Sequence, residues 1–155
     1  MTNLTNKLLR RPKNHTLAER SIRYHEGLRL HPYFCTAGKL TIGWGRNLED
    51  RGLTQEEADF IFDTDWKRVK AELQSALPWT DQLDAVRYAV LADMCFNLGL
   101  PKFLAFKQTL EAVKQGDYAR AASRMLASLW ATQVPDRAKR LAAMMATGTV
   151  PPELS

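Results

Sequence analysis

The chain has 155 residues, 45% of them apolar, with 22 Lys or Arg against 17 Asp or Glu. That apolar share excludes a disordered chain and suffices for one ordinary domain, or for two lobes sharing a core. No apolar run approaches the roughly 18 residues of a membrane span, and the N-terminal region lacks the apolar segment of a classical signal peptide. The expectation is a protein kept in a cytoplasm until something else releases it.

The net charge of +5 is unevenly placed. Residues 1–25 hold six Lys or Arg against one acid, Glu19, and from Glu26 onward sixteen bases balance sixteen acids. Arg10-Arg11-Pro12-Lys13 marks a loose basic arm over residues 1–15, either solvated or drawn to a polyanion such as a cell-wall polymer, a lipid surface or nucleic acid. Cys35 and Cys95 read as free thiols, Cys95 as a small buried hydrophobe within VLADMCF. No cysteine or histidine spacing fits a metal site, so neither metal nor cofactor is expected.

Thr16-Leu17-Ala18-Glu19 has the spacing of a capping box, which predicts a helix with Leu17, Ile22 and Leu28 toward the core. It should stop before Pro32, which leaves Glu26 near its C-terminal end. The negative end of the helix dipole works there against a further negative charge. Tyr33–Thr36 and Lys39–Ile42 are β-favouring runs about Ala37-Gly38, which predicts a hairpin with Cys35 close to facing Thr41. Gly43 and Gly45 flank Trp44 and permit close backbone approach.

A second capping box, Thr54 to Glu57, opens a helix over residues 54–76 with Ala58, Ile61, Phe62, Val69 and Leu73 at helical spacing, and Trp66 beside them. Beyond Pro78 the pattern is helical. Thr80 or Asp81 can cap the stretch ending at Gly99, Phe103–Gln115 makes another helix, and Asp117 caps an alanine-rich one ending near Trp130. Pro135 fits a first helical position, with Gly148 after the end, and the Pro151-Pro152 tail should fray. Trp44 and Trp130 read as core residues rather than exposed ring platforms. The architecture expected is α+β and mainly helical. A small lobe (16–53) and a helical lobe (77–149) are joined by one long helix (54–76), with a cleft between them for an extended ligand.

HEGLRLHPYFCTAGKLTIGWG resembles the active-site segment of T-even phage lysozymes and related phage endolysins: a Glu, eight residues, Asp or Cys, five residues, Thr. Glu26, Cys35 and Thr41 meet that spacing without a gap. LDAVRYAVLADMCFNLG is similar to the family's central helix in its larger lobe, and WATQVPDRAKRLAAMMATG to its closing segment. The resemblance covers about residues 17–149, and three ordered segments make it specific. It implies a lysozyme-like two-lobed fold and hydrolysis of the bond between N-acetylmuramic acid and N-acetylglucosamine in peptidoglycan. It further implies a monomer that acts on glycan strands in the periplasm, a holin-type membrane partner for release from the host cytoplasm, and no nucleic-acid partner. The loop between hairpin and long helix is shorter here, which should trim the small lobe.

Glycoside cleavage needs an acid to protonate the leaving oxygen, and Glu26 is the candidate. By resemblance Arg137 orients it, and Phe96 and Thr109 match sugar-binding positions, as do Asn97 and Asn47 with changed side chains. Cys35 departs from the T-even aspartate. A thiol is a weaker base, so it acts as a partly ionised base, a water ligand or a transient covalent partner, with Thr41 holding the water. The competing readings are a lytic transglycosylase, which needs only the acid, and a non-catalytic wall-binding module.

Overall fold

The structure, a computed structural model, describes residues 15–155, so the basic arm expected over residues 1–15 lies outside it except for His15. Two compact units divide between Phe62 and Asp63, inside the long helix.

The first unit opens with α1 (Leu17–Glu26), whose capping box forms as expected: Thr16 Oγ1 accepts from the Glu19 amide at 3.2 Å and Glu19 returns a bond to the Thr16 amide at 2.7 Å. The helix ends five residues earlier than Pro32 requires, at Gly27, whose φ of 67° lets its N–H close on the Arg23 carbonyl. Pro32 falls instead within β1 (Arg29–Phe34), an edge strand with a register shift between Arg29 and Tyr33. An edge with a bulge is where a sheet tolerates a residue that has no N–H to donate.

β2 (Leu40–Gly43) pairs antiparallel with β1, and the hairpin gains a third strand, β3 (Arg46–Asn47), in the order β1-β2-β3. β3 carries only two residues and leaves no alternation to read. α2 (Leu48–Arg51) follows, with Asn47 Oδ1 capping it on the Asp50 amide at 3.0 Å.

The expectation that Leu17, Ile22 and Leu28 face a core fails: all three are exposed, at 75, 59 and 50%. Strands of six, four and two residues offer too small a layer to cover a helix, and among the described residues of this unit only Thr41 is buried. Cross-links by charge and hydrogen bond hold the unit instead. Arg46 makes a two-pronged ion pair with Glu57 and donates to the Gly52 carbonyl at 3.1 Å, tying β3 to the long helix α3 (Gln55–Ala76). Glu57 also completes the second capping box with Thr54.

The second unit holds the apolar core. On α3 the predicted spacing is met only in its second half: Val69 and Leu73 are fully buried, whereas Ile61 and Phe62 are 46 and 54% exposed. A 3-10 turn (Pro78–Gln82) uses Thr80 internally, its hydroxyl on the Leu77 carbonyl, so the cap of α4 (Ala85–Leu98) is Asp84 and not Thr80 or Asp81. α4 buries Val90, Leu91, Ala92, Met94 and Cys95, as its continuous apolar run requires.

The stretch read as one helix from Phe103 to Gln115 is two, α5 (Leu100–Leu104) and α6 (Lys107–Lys114), because the chain turns at Ala105-Phe106 to bury Phe103. α7 (Tyr118–Leu126) starts on the Asp117 cap and stops short of Trp130, which belongs to α8 (Leu129–Gln133). α9 (Pro135–Thr147) takes Pro135 at its first turn and ends at Gly148, φ 67°. Fully burying a side chain such as Phe103 or Leu91 contributes about 1.5–3 kcal/mol relative to exposure.

Arg87 closes this unit. Its Nε donates to the Met145 carbonyl at 2.9 Å, its guanidinium pairs with Asp84, and the group stacks 3.7 Å above the Tyr118 ring. A Cβ at Gly148 would meet that guanidinium at 2.6 Å, so this glycine serves both the left-handed turn and the packing. The C-terminal tail, expected to fray, forms a short 3-10 turn (Pro152–Leu154) with Glu153 bonded to Arg140 at 2.7 Å.

Candidate active site

Glu26 is the last residue of α1, and its exposed side chain lies against the β2–β3 turn. A Cβ at Gly45 would run into Glu26 Oε2 and come within 2.6 Å of its Cδ, so the carboxyl packs directly on the turn backbone. Gly43 has open space at the same test and is required by its φ of 70° alone. The two glycines therefore do different jobs, and of the two Gly45 alone shapes the seat of the Glu26 carboxyl.

Cys35 and Thr41 meet through the hairpin turn. The partner of Thr41 across the ladder is Tyr33, so Cys35 does not face it directly. Cys35 stands two residues beyond Tyr33, which places it on the same face and diagonal to Thr41. The three-residue loop Thr36-Ala37-Gly38 closes with the Gly38 amide on the Cys35 carbonyl at 2.8 Å, and Gly38 takes the positive φ (73°) that such a loop needs.

One carbonyl then organises both side chains. Lys39 O accepts from the Cys35 amide at 3.0 Å and from the Thr41 hydroxyl at 2.9 Å, which uses both of its lone pairs. Thr41 is 3% exposed, Cys35 is half-buried, and Asn47 is the ladder partner of Thr41 on the other side. Thus the hairpin turn and β3 both meet β2, and α1 meets the turn that follows it.

The backbone amides of Lys39 and then Ala37 hold the Cys35 thiol below its ordinary value, with the Thr41 hydroxyl acting in the same direction and burial opposing them. Hydrogen bonds to the ionised form are the cause, so the thiolate is more populated at neutral pH than in a free cysteine. Cys95 is the opposite case: burial pushes its thiol up.

Asn47 spends its side chain on Asp50, accepting from the amide and donating Nδ2 to Oδ2 at 2.9 Å. In the second unit Phe96 is 36% exposed at the end of α4, and beside it Asn97 accepts from Trp130 Nε1 at 2.7 Å. Trp130 itself is buried. Thr109 is only 3% exposed, at the wall of a depression that Phe106, Lys107 and Arg124 also line.

Arg137 donates Nε to Asp93 Oδ1 at 2.7 Å. Asp93 escaped the sequence reading, although a lone acid within the apolar run of α4 signals a side chain that needs a partner. Trp44 corrects the core expectation: it is 42% exposed, with the Arg23 guanidinium 4.6 Å from its ring centre. A tight turn at the sheet end carries it outward over α1.

A family model described as phage lysozyme matches residues 23–145. A protein named probable T4-type lysozyme 1, from Dictyostelium discoideum, is 26% identical over 83% of this chain and 93% of its own length. An endolysin of Acyrthosiphon pisum secondary endosymbiont phage 1 is 32% identical over 68% of this chain and 72% of its own. The pre-baseplate central spike protein Gp5 of Enterobacteria phage T4 is 27% identical over 88% of this chain, a stretch that makes up 28% of the spike protein.

Proposed function

We propose, from the premise that this chain belongs to the phage lysozyme family and is a peptidoglycan-hydrolysing lysozyme, that Glu26 is the general acid and that Cys35 and Thr41 prepare the attacking water. The bond cut is that between N-acetylmuramic acid and N-acetylglucosamine. Glu26 gives its proton to the leaving oxygen as the glycosidic C–O bond breaks, and a water oxygen bonds to the anomeric carbon. The proton lost by that water passes to the Cys35 thiolate or, through it, to solvent.

The observation that carries this reading is the shared Lys39 carbonyl, which holds Cys35 and Thr41 on one face of one hairpin. Stabilisation of the thiolate by neighbouring amides supports a base role that a free thiol fills poorly. Arg137 orients the acid, and Phe96, Asn97, Thr109 and Asn47 contribute sugar contacts. These assignments rest on family spacing. The enzyme works as a monomer on the cell wall, with a holin-type partner admitting it from the host cytoplasm to the periplasm.

The test is a pair of substitutions at position 35. Cys35→Asp should keep activity on peptidoglycan, and Cys35→Ala should lose about 10²-fold or more in kcat, the lower end of what a general base contributes. Wild-type activity in the alanine variant would remove Cys35 from the reaction.

A further inference from the structure

The hairpin turn that carries Cys35 and Thr41 is held from outside the hairpin. Glu49, on α2, reaches back to β2, where its Oε1 accepts from the Leu40 amide at 2.9 Å. Its other oxygen lies 3.5 Å from Lys39 Nζ, and Asp50 takes the same ammonium at 3.1 Å. Asp50 is itself fixed by Asn47, the ladder partner of Thr41. Lys39, just before β2, and Leu40, its first residue, are thus gripped by two consecutive residues of α2, through the side chain at Lys39 and the main chain at Leu40.

The grip falls on a sensitive place. The peptide unit joining Lys39 to Leu40 contains both the Leu40 N–H that Glu49 binds and the Lys39 carbonyl that holds Cys35 and Thr41. A peptide unit is planar, so fixing its N–H fixes the direction of its carbonyl. The exposed ion pairs at Lys39 contribute little by themselves. The bond from a backbone amide to a carboxylate is charge-assisted and directional, and it is the stronger element.

We propose that Glu49 is a positioning residue for the reaction: by binding the Leu40 amide it sets the plane of the Lys39–Leu40 peptide, and so the carbonyl on which Cys35 and Thr41 hang. This inference rests on the reading of Cys35 and Thr41 given above. It predicts a particular pattern in two variants of the full chain. Glu49→Ala, which removes the acceptor, should lower kcat about tenfold on a soluble peptidoglycan oligomer with KM within about twofold, as expected for misplaced catalytic groups. Glu49→Gln keeps a carbonyl oxygen at the same reach and should recover most of that loss. Amide exchange at Leu40, read by NMR, should be about tenfold faster in the alanine variant and near the original rate in the glutamine variant.

Unchanged kcat in Glu49→Ala overturns the proposal, whatever the exchange rate shows. A glutamine variant as slow as the alanine one also overturns it, because charge rather than the hydrogen bond would then be responsible. The two claims fail separately. Leu40 exchange reports the grip of Glu49 whether or not Cys35 takes part in the reaction, whereas full activity in Cys35→Ala strikes the catalytic reading alone.

Discussion

Glu26→Gln is expected to lower peptidoglycan hydrolysis by about 10²–10⁴-fold, the span that a positioned general acid contributes. Glutamine has the same length and the same apolar stem, so it can occupy the seat against Gly45. It has no proton of usable acidity to give the leaving oxygen. Because Glu26 is exposed at the end of α1, its replacement removes no core contact. Circular dichroism and the melting temperature should therefore match the parent protein. Turbidity loss of permeabilised Gram-negative cells is the direct readout, and an active glutamine variant would exclude Glu26 as the acid.

The second large effect is expected at Gly45, which has no chemistry of its own. Gly45→Ala meets two obstacles. Its φ of 73° is a left-handed conformation that costs an L residue about 1–2 kcal/mol, and the new methyl collides with the Glu26 carboxyl. The carboxyl must then move by about an ångström, and a displacement of that size costs on the order of 10²-fold in rate. Gly43→Ala separates the two effects, since its φ is 70° but nothing lies within 4 Å of the added carbon. Both variants should lose stability, and Gly45→Ala should lose far more activity. Equal activity in the two would show that the Gly45–Glu26 contact is not what seats the acid.

Much of this fold is legible in the sequence because it follows local rules. The capping boxes at Thr16 and Thr54, the caps at Asp117 and Gly148, and Pro135 at a first helical turn each depend on residues within four positions of one another. Glu26 at a helix end and Thr41 on a strand belong to the same class. What escaped depends on pairing at longer range. β3 is a strand only because Thr41 and Ile42 pair with it, and a two-residue strand has no pattern of its own.

The diagonal between Cys35 and Thr41 is set by the closing geometry of the loop, which composition suggests but does not determine. Glu49 and Asp93 were missed for a related reason. Each acts on a partner nine or forty-four residues away, and the sequence offers only an acid in a polar or apolar neighbourhood. The apolar spacing of α1 misled because periodicity reports a face but not what covers it, and Leu17 and Ile22 stand exposed.

The central claim is that Glu26 works with a water prepared by Cys35 and Thr41, so that the reaction is a hydrolysis. Digestion of purified peptidoglycan in ¹⁸O-labelled water, followed at once by mass spectrometry of the muropeptides, tests it most directly. Each newly formed N-acetylmuramic acid reducing end is expected to carry one ¹⁸O. Unlabelled 1,6-anhydro ends would contradict it, because they form when the sugar's own hydroxyl displaces the leaving group, as in a lytic transglycosylase.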